Sequence, residues 1–170
     1  TIGAVTNFTR SVIQAGDRIG DLADQWHLST DEVQRLEVLA NRTGVKVERL
    51  GESLIRFSDL RQKAATGDEK AQSLLAKYGV TLSDVNDTTK SNLDLVTVIS
   101  TRYNELATTT EAQADALDIA GQRGQKVLSV MNQIKDLGPI KLITPDEIKA
   151  MSDANDALDE LKRQATVAAA

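Results

Sequence analysis

The chain has 170 residues and a net charge of −5, with no cysteine and two prolines. The lack of thiols excludes disulfides, and one Trp, two Tyr and two Phe are too few to favour a β-sandwich or barrel. No basic run suggests a DNA-binding surface, and no apolar run approaches the roughly 18 residues of a membrane span. The composition favours an all-α protein, and we expect a chain that opens at Thr1 to be a piece of a longer one.

The first predicted element is one long helix over residues 4–26. Its apolar residues recur at alternating spacings of three and four, which is a heptad seam held over three heptads. Gly16 and Gly20 are expected to weaken the helix by about 1 kcal/mol each relative to Ala. We expect the stripe to be an interaction seam that needs a partner, and its members are Val5, Phe8, Val12, Ala15, Ile19, Leu22 and Trp26.

A recurring six-residue phrase marks where later helices begin. It reads LSTDEV from Leu28, VTLSDV from Val80 and ITPDEI from Ile143, and VKVERL from Val45 is a looser copy. In the three closer copies a Ser or Thr can accept from a first-turn N–H, and an acid three residues later can reach back to the cap residue. The predicted N-cap residues are Ser29, Thr81 and Thr144, with Glu32 and Glu147 as the returning acids.

The acids of this phrase also admit a second interpretation. Asp31, Glu32, Asp146 and Glu147 could serve as catalytic carboxylates or metal ligands. Capping accounts for every position of the phrase, including Pro145 at the first helical position, where its missing N–H is not needed. We therefore favour capping for all four acids.

Short helices with marked joints are predicted for the middle of the chain. The stretch TLSDVNDTTK from Thr81 is expected to be a loop, and Gly138-Pro139 is expected to break the chain before the last helix, which starts after Thr144. The other helices are predicted at about 30–43, 47–66, 68–78, 91–107, 110–120 and 125–136.

Together these elements predict an all-α fold of several helices joined by short capped turns. Helical hairpins or a bundle would lie between coiled-coil-like first and last helices. The predicted organisation is a heptad-like N-terminal helix over residues 1–27, a multi-helix region over 28–138 and a capped C-terminal helix over 139–170.

Motifs that carry chemistry are weak in this sequence. His27 is the only histidine, so a histidine-rich metal site is excluded. The segment from Asp84 starts like a calcium loop but has Thr89 in place of the loop glycine and Leu95 in place of the last acid. GQRG, from Gly121, mimics a phosphate-gripping GxxG turn but lacks the strands of that module. We predict no catalytic residue, no cofactor and no metal.

The order of three longer segments resembles the tail tape measure proteins of bacteriophages. AGDRIGDLADQWHLSTDEVQRLEVLANRTGVKVERLGESLIRFSD resembles that family's A-D-x-I-x-x-L-A stretch followed by L-S-x-E-E-L-Q and G-V-x-x-E-x-L phrases. DEKAQSLLAKYGVTLSDVNDTT and DLVTVISTRYNELATTTEAQADALDIAGQRGQKVLSVMNQ resemble the segments that follow in the family. The resemblance covers about residues 13–165, and the order of the segments is more specific than any single motif.

The chain departs from the family pattern at three places. Residues 118–121 read Asp-Ile-Ala-Gly where Leu-Phe-Gly is usual. Ser129 replaces a proline, and Asp87-Thr88 replaces an Asn-Gly turn. Such changes are compatible with a structural protein.

The resemblance implies a non-enzymatic structural role. A tape measure protein occupies the tail tube lumen of the virion, sets tail length during assembly in the bacterial cytoplasm and is released ahead of DNA at ejection. The implied partners are tail tube and tail tip proteins, tail assembly chaperones and other copies of the chain. No small-molecule substrate is implied, DNA contact is at most transient, and membrane contact is not indicated.

The alternative is a generic helical-bundle scaffold or adaptor that mediates protein–protein contacts. The length of the parent protein discriminates between the two, because a ruler should be several times longer than this piece. A helical enzyme or a nucleic-acid binder would need a convergent polar cluster or a basic face, and the sequence predicts neither.

Overall fold

The structure is a computed structural model that describes the backbone of residues 2–168 and the side chains of residues 14–164. This described part is helical without strands, which confirms the all-α prediction, whereas the coiled-coil character of the end helices stays a prediction. The helices are α1 (Ile2–Trp26), α2 (Thr30–Thr43), α3 (Val47–Ala65), α4 (Glu69–Lys77), α5 (Leu82–Asn86), α6 (Asn92–Leu106), α7 (Thr110–Ala120), α8 (Gly124–Met131), a 3₁₀ helix (Asn132–Asp136) and α9 (Pro145–Ala168).

The stretch predicted as a loop after Val80 contains one of these helices. Thr81 caps α5, because the N–H of Asp84 donates to Thr81 Oγ1 over 3.2 Å and the N–H of Thr81 donates to Asp84 Oδ2 over 2.8 Å. The prediction of an uninterrupted loop is therefore wrong. The predicted cap at Thr81 starts a helix of five residues, although the residues that follow are mostly polar.

The helix predicted over residues 125–136 changes type at Met131. The hydroxyl of Ser100, on α6, donates to the carbonyl of Leu128 and accepts from the N–H of Asn132 over 2.7 Å. An α-helix would join that N–H and that carbonyl directly. Because the Ser100 hydroxyl stands between them, α8 ends there and the chain continues as a 3₁₀ helix.

The helices form two compact units. The terminal unit comprises the chain up to Gln34 and the chain from Lys141, and the central unit comprises Arg35–Ile140. The end segments that were predicted separately as 1–27 and 139–170 thus lie largely in one unit. The division between the units falls inside α2.

The central unit is built around α3. This helix packs against α4, α5, α6, α7 and α8 and buries Leu50, Leu54 and Phe57 almost completely. Each such side chain contributes about 1.5–3 kcal/mol by leaving water. α8 comes so close to α7 that a Cβ at Gly124 would lie 2.0 Å from the carbonyl oxygen of Ala116, so only glycine fits there.

Arg61, on α3, braces the segment around α5. Its guanidinium donates to the carbonyls of Val85 (2.9 Å), Asp87 (2.7 Å) and Lys90 (2.9 Å) and to Oδ1 of Asn92 (3.1 Å). The planar fork of arginine satisfies several acceptors at fixed angles. These bonds hold residues 85–92 against α3 although that segment has little apolar surface.

Asp115 joins α7 to the end of α4. It accepts from the buried hydroxyl of Tyr78 over 2.8 Å and from Nζ of Lys77 over 2.5 Å, and Lys77 also contacts Glu111 over 2.7 Å. The two carboxylates raise the pKa of Lys77. Burial, reinforced by the bond to Asp115, raises the pKa of Tyr78.

Candidate functional site

Helix starts in the terminal unit carry reciprocal side-chain caps. The N–H of Ser29 donates to Glu32 Oε2 over 2.9 Å, and the N–H of Glu32 donates to Ser29 Oγ over 3.2 Å. Thr144 and Glu147 form the same arrangement. The N–H of Thr144 donates to Glu147 Oε2 over 2.8 Å, and the N–H of Glu147 donates to Thr144 Oγ1 over 3.3 Å. The bonds from Thr144 lower the pKa of Glu147. One carboxylate oxygen of Glu32 and one of Glu147 are thus engaged in capping, whereas Glu32 Oε1 has no hydrogen-bond partner among the described residues.

Two further helix starts show how specific the capping signal is. Lys46, the cap position of the loosest copy of the phrase, makes no side-chain cap hydrogen bond. Ser91 and Asp94 form a capping box at the start of α6 that was not predicted. The signal is present as Ser-x-x-Asp followed by Leu95, but Lys90 precedes it where the repeated phrase has an apolar residue.

The buried face of α1 differs from the predicted seam by one residue at two places. Ile19 and Trp26 are both 4% exposed, but Ala15 is exposed and Leu22 is half-buried. Gly16 and Ala23 are buried in their place. The side chains of three further seam residues lie outside the described residues, and these are Val5, Phe8 and Val12.

The glycines of α1 mark where α9 approaches. A Cβ on Gly16 would lie 2.5 Å from Met151 Sδ, and a Cβ on Gly20 would lie 3.7 Å from Ile148 Cγ2. Because the contacts move backward along α9 as they move forward along α1, the two helices are antiparallel. From the sequence alone both glycines are expected only to weaken the helix, whereas their four-residue spacing is the signal for close helix packing.

One polar contact fixes the register of this pair. Asp17 accepts from the hydroxyl of Ser152 over 2.9 Å and from Nδ2 of Asn155 over 3.2 Å. All three residues are partly buried. A polar group within an apolar helix seam disfavours other registers, because a slip leaves it without its partners. The site is therefore an antiparallel helix pair with one defined register.

The described residues contain no group of three or more His, Asp or Glu that could hold a metal ion. His27 is exposed and has a φ of 53°, at the joint between α1 and α2. No described helix is both long enough and apolar enough to cross a membrane.

Comparisons with known proteins identify no relative: no protein-family model, curated protein or solved structure matches this chain. The fold places the described chain among all-α proteins of two helical units. What the protein does is therefore inferred from its own residues.

Proposed function

We propose that this chain is a segment of a bacteriophage tail tape measure protein and has a structural, non-catalytic role. The observation that carries the proposal is the order of the three tape-measure-like segments over about residues 13–165. Each motif is short, but all three occur in the family's order within one chain. The alternation of capped helices and short joints agrees with the helical character of that family.

A helical ruler converts residue number into distance, because an α-helix rises 1.5 Å per residue. A continuous helix of this length would span roughly 255 Å. The antiparallel contacts of α1 and α9 instead return the chain toward its starting level. This segment is therefore a folded-back part of the ruler. It would span the distance of a continuous helix only if its helices opened into a single rod.

The proposed location is the tail tube lumen of the virion. There the segment contacts tube and tip proteins and further copies of itself, after assembly with tail chaperones in the host cytoplasm. The net charge of −5 suits a protein that leaves the tube ahead of DNA, because it disfavours strong binding to phosphates. Neither a cofactor nor a membrane contact is part of the proposal.

The second candidate is a helical scaffold or adaptor outside a phage tail. It is favoured by the fact that the helices form two compact units rather than one uninterrupted rod. Such a module would present its helix faces to protein partners and would have no relation between its length and any assembly.

Tail length in the encoding phage separates these candidates. An in-frame deletion of Arg35–Ile140 removes the central unit and joins Gln34 to Lys141. The new junction lies near an existing contact, because Gln34 already donates a hydrogen bond to the carbonyl of Ile143. We expect shorter tails in electron micrographs, by roughly 160 Å if the deleted residues form a continuous helix in the tube. The shortening is smaller if they stay folded.

A duplication of the same unit is the matched control, and it should lengthen the tail by a comparable amount. Mass spectrometry of purified virions establishes that each variant is incorporated. Tails of unchanged length that contain the deleted and duplicated chains would contradict the length-setting role. Absence of the wild-type chain from virions would contradict the tail location.

A further inference from the structure

A cavity of about 930 Å³ opens in the central unit between α3, α6, α7 and the start of α8. Three cationic side chains line it: Arg49, Arg123 and Lys126. None of the described residues that line it is acidic. This volume is within the range of small-molecule sites. Three cations around one cavity stand out in a chain whose net charge is −5.

These three side chains have no hydrogen bond or ion pair within the described chain. Elsewhere in the central unit, by contrast, Lys77 is paired with two carboxylates and Arg61 donates to four oxygens. Unpaired like charges around one cavity repel one another, and an anion between them removes that repulsion. The charge pattern therefore points to an anionic ligand.

A buried phenol also lines the cavity. Tyr103 is 3% exposed, and its hydroxyl has no hydrogen-bond partner in the described chain. The hydroxyl oxygen itself is not sealed from solvent, so it can donate to a group in the cavity. Burial of the ring raises the pKa of Tyr103, which keeps the group a neutral O–H donor. An oxygen-rich ligand in the cavity can take the place of water as its acceptor.

The start of α8 adds backbone donors to the same wall. Lys126 and Val127 share the carbonyl of Arg123 as acceptor, whereas the N–H of Gln125 has no acceptor in the described chain. Arg123, the residue before α8, provides no side-chain cap. The positive end of a helix with an unused N–H favours anions. The glycines at the two ends of GQRG let this turn pack closely, because a Cβ at Gly124 would meet Ala116 of α7 and a Cβ at Gly121 would meet Arg56 of α3.

The remaining wall is mixed, because Gln113 and Ser129 line it together with the apolar Leu117 and Ala107. Leu117, on α7, is 50% exposed and is the largest apolar side chain of this wall. Inorganic phosphate has no apolar part, so it would leave Leu117 and Ala107 exposed to water. The wall is suited to a ligand with an apolar or aromatic body attached to its anionic group.

We propose that this cavity binds a small organic phosphate. The phosphate lies at the start of α8 among Arg49, Arg123 and Lys126, with the Tyr103 hydroxyl as a further donor. The organic part covers Leu117. Arginine forks and an unused helix N–H match the several acceptor oxygens of a phosphate better than the two of a carboxylate. The inference is independent of the tape measure proposal.

The test is a titration of the whole chain with phenyl phosphate and with inorganic phosphate, followed by amide NMR. Both should shift the amides of Gly121, Gly124 and Gln125 in a saturable way. Phenyl phosphate should bind about tenfold more tightly, because its ring also covers Leu117. Equal affinity for the two probes would overturn the organic part of the proposal, and no saturable shift from either would overturn the site.

Variants localise the binding. Arg123→Gln and Arg49→Gln should each weaken phenyl phosphate about tenfold, and Tyr103→Phe should weaken it by a smaller factor. Lys63→Gln is the matched control, because it removes the same charge from α3 about 21 Å along the helix from Arg49. Circular dichroism and melting curves verify that each variant is folded. An equal loss with Lys63→Gln would show general charge attraction and would overturn the site.

Discussion

The side-chain amide of Gln34 and the backbone of Ile143 exchange two hydrogen bonds. Nε2 of Gln34 donates to the carbonyl of Ile143 over 2.8 Å, and the N–H of Ile143 donates to Oε1 over 2.7 Å. Gln34 is 7% exposed. The side-chain amide of Gln34 thus pairs with both backbone hydrogen-bonding groups of the residue that precedes the Thr144 cap. It connects the beginning of α2 to the beginning of α9.

Replacing this glutamine should destabilise the terminal unit. Gln34→Ala leaves the N–H and carbonyl of Ile143 without partners, and we expect the free energy of unfolding to fall by about 1–3 kcal/mol. Urea titration measures the change. Gln25→Ala, at an exposed position of α1, is the control and should change it by less than about 0.5 kcal/mol. Equal effects of the two substitutions would show that the amide pair contributes nothing.

Two glycine-to-alanine substitutions in α1 should have opposite signs. Gly20→Ala places its Cβ at an ordinary contact distance from Ile148, so we expect a gain of about 0.5–1 kcal/mol from helix propensity. Gly16→Ala drives its Cβ into Met151, and we expect a net loss of about 1 kcal/mol despite the same propensity gain. Thermal melts of both variants test the pair.

Removing the obstacle should reverse the loss at Gly16. In the double variant Gly16→Ala with Met151→Gly, the added methyl occupies space that the whole methionine side chain vacates, including its Cβ, which would otherwise lie 2.8 Å away. The double variant should therefore be more stable than Met151→Gly alone. A Gly16→Ala chain that is as stable as Gly20→Ala would contradict the close approach of α1 and α9.

Loss of the Arg61 fork should release the segment around α5. Arg61→Lys keeps the charge but cannot reach the carbonyls of Val85, Asp87 and Lys90 together. We expect a loss of about 1.5–3 kcal/mol and faster hydrogen exchange of the amides over residues 85–92. Arg56→Lys, at an exposed position of the same helix, is the control. Unchanged exchange in that segment would show that Arg61 does not brace it.

The free energy of unfolding should decrease at alkaline pH, because the Tyr78 phenol ionises more readily in the unfolded chain. Its pKa is raised in the folded protein, so the unfolded chain ionises this phenol first. The contribution is complete below the ordinary pKa of 10.0 and is lost as pH rises toward the folded value. Urea midpoints between about pH 8 and 11 should decline, and the decline should be shallower for Tyr78→Phe. Parallel curves for the two chains would contradict this assignment.

Local chemistry made part of this fold predictable. The spacing of Ser29 and Glu32, or of Thr144 and Glu147, specifies a helix start within four residues, because both partners of each bond lie in one turn. The helical class followed from composition and from apolar periodicity. The start of α2 follows from the capping signal, whereas α3 begins after Lys46 without a side-chain cap.

Contacts between distant residues were not predictable in the same way. Gln34 and Ile143 are 109 positions apart, and no local sequence pattern predicts a hydrogen bond between that side chain and that backbone. Arg61 has the sequence context of an ordinary surface arginine. The face that α1 buries also depends on where Met151 and Ile148 lie, which explains why the heptad pattern selected Ala15 and Leu22 rather than Gly16 and Ala23.

The cavity of the central unit illustrates the same limit. GQRG is the one local sign of a phosphate-binding turn, and without surrounding strands it does not by itself predict a site. Arg49 and Tyr103 lie far from that turn in the sequence, and only folding brings them to the cavity that the turn lines.

The claim that the chain folds back on itself, with α1 antiparallel to α9, has a direct test. The chain has no native cysteine, so Gly20→Cys with Ile148→Cys introduces a single possible disulfide. Gly20→Cys with Leu158→Cys is the control, because Leu158 is outside the Asp17 contact and lies about 15 Å farther along α9, beyond the reach of a disulfide. Mixing isotope-labelled and unlabelled chains before oxidation distinguishes bonds within a chain from bonds between chains.

The account predicts that the Gly20–Ile148 pair oxidises rapidly within single chains and that the control pair does not. Mass spectrometry of the cross-linked peptides reads out both results. Disulfides that join labelled to unlabelled chains, or equal oxidation of the control pair, would contradict the folded-back pairing. Such a result would instead indicate that the α1 seam joins separate copies of the chain.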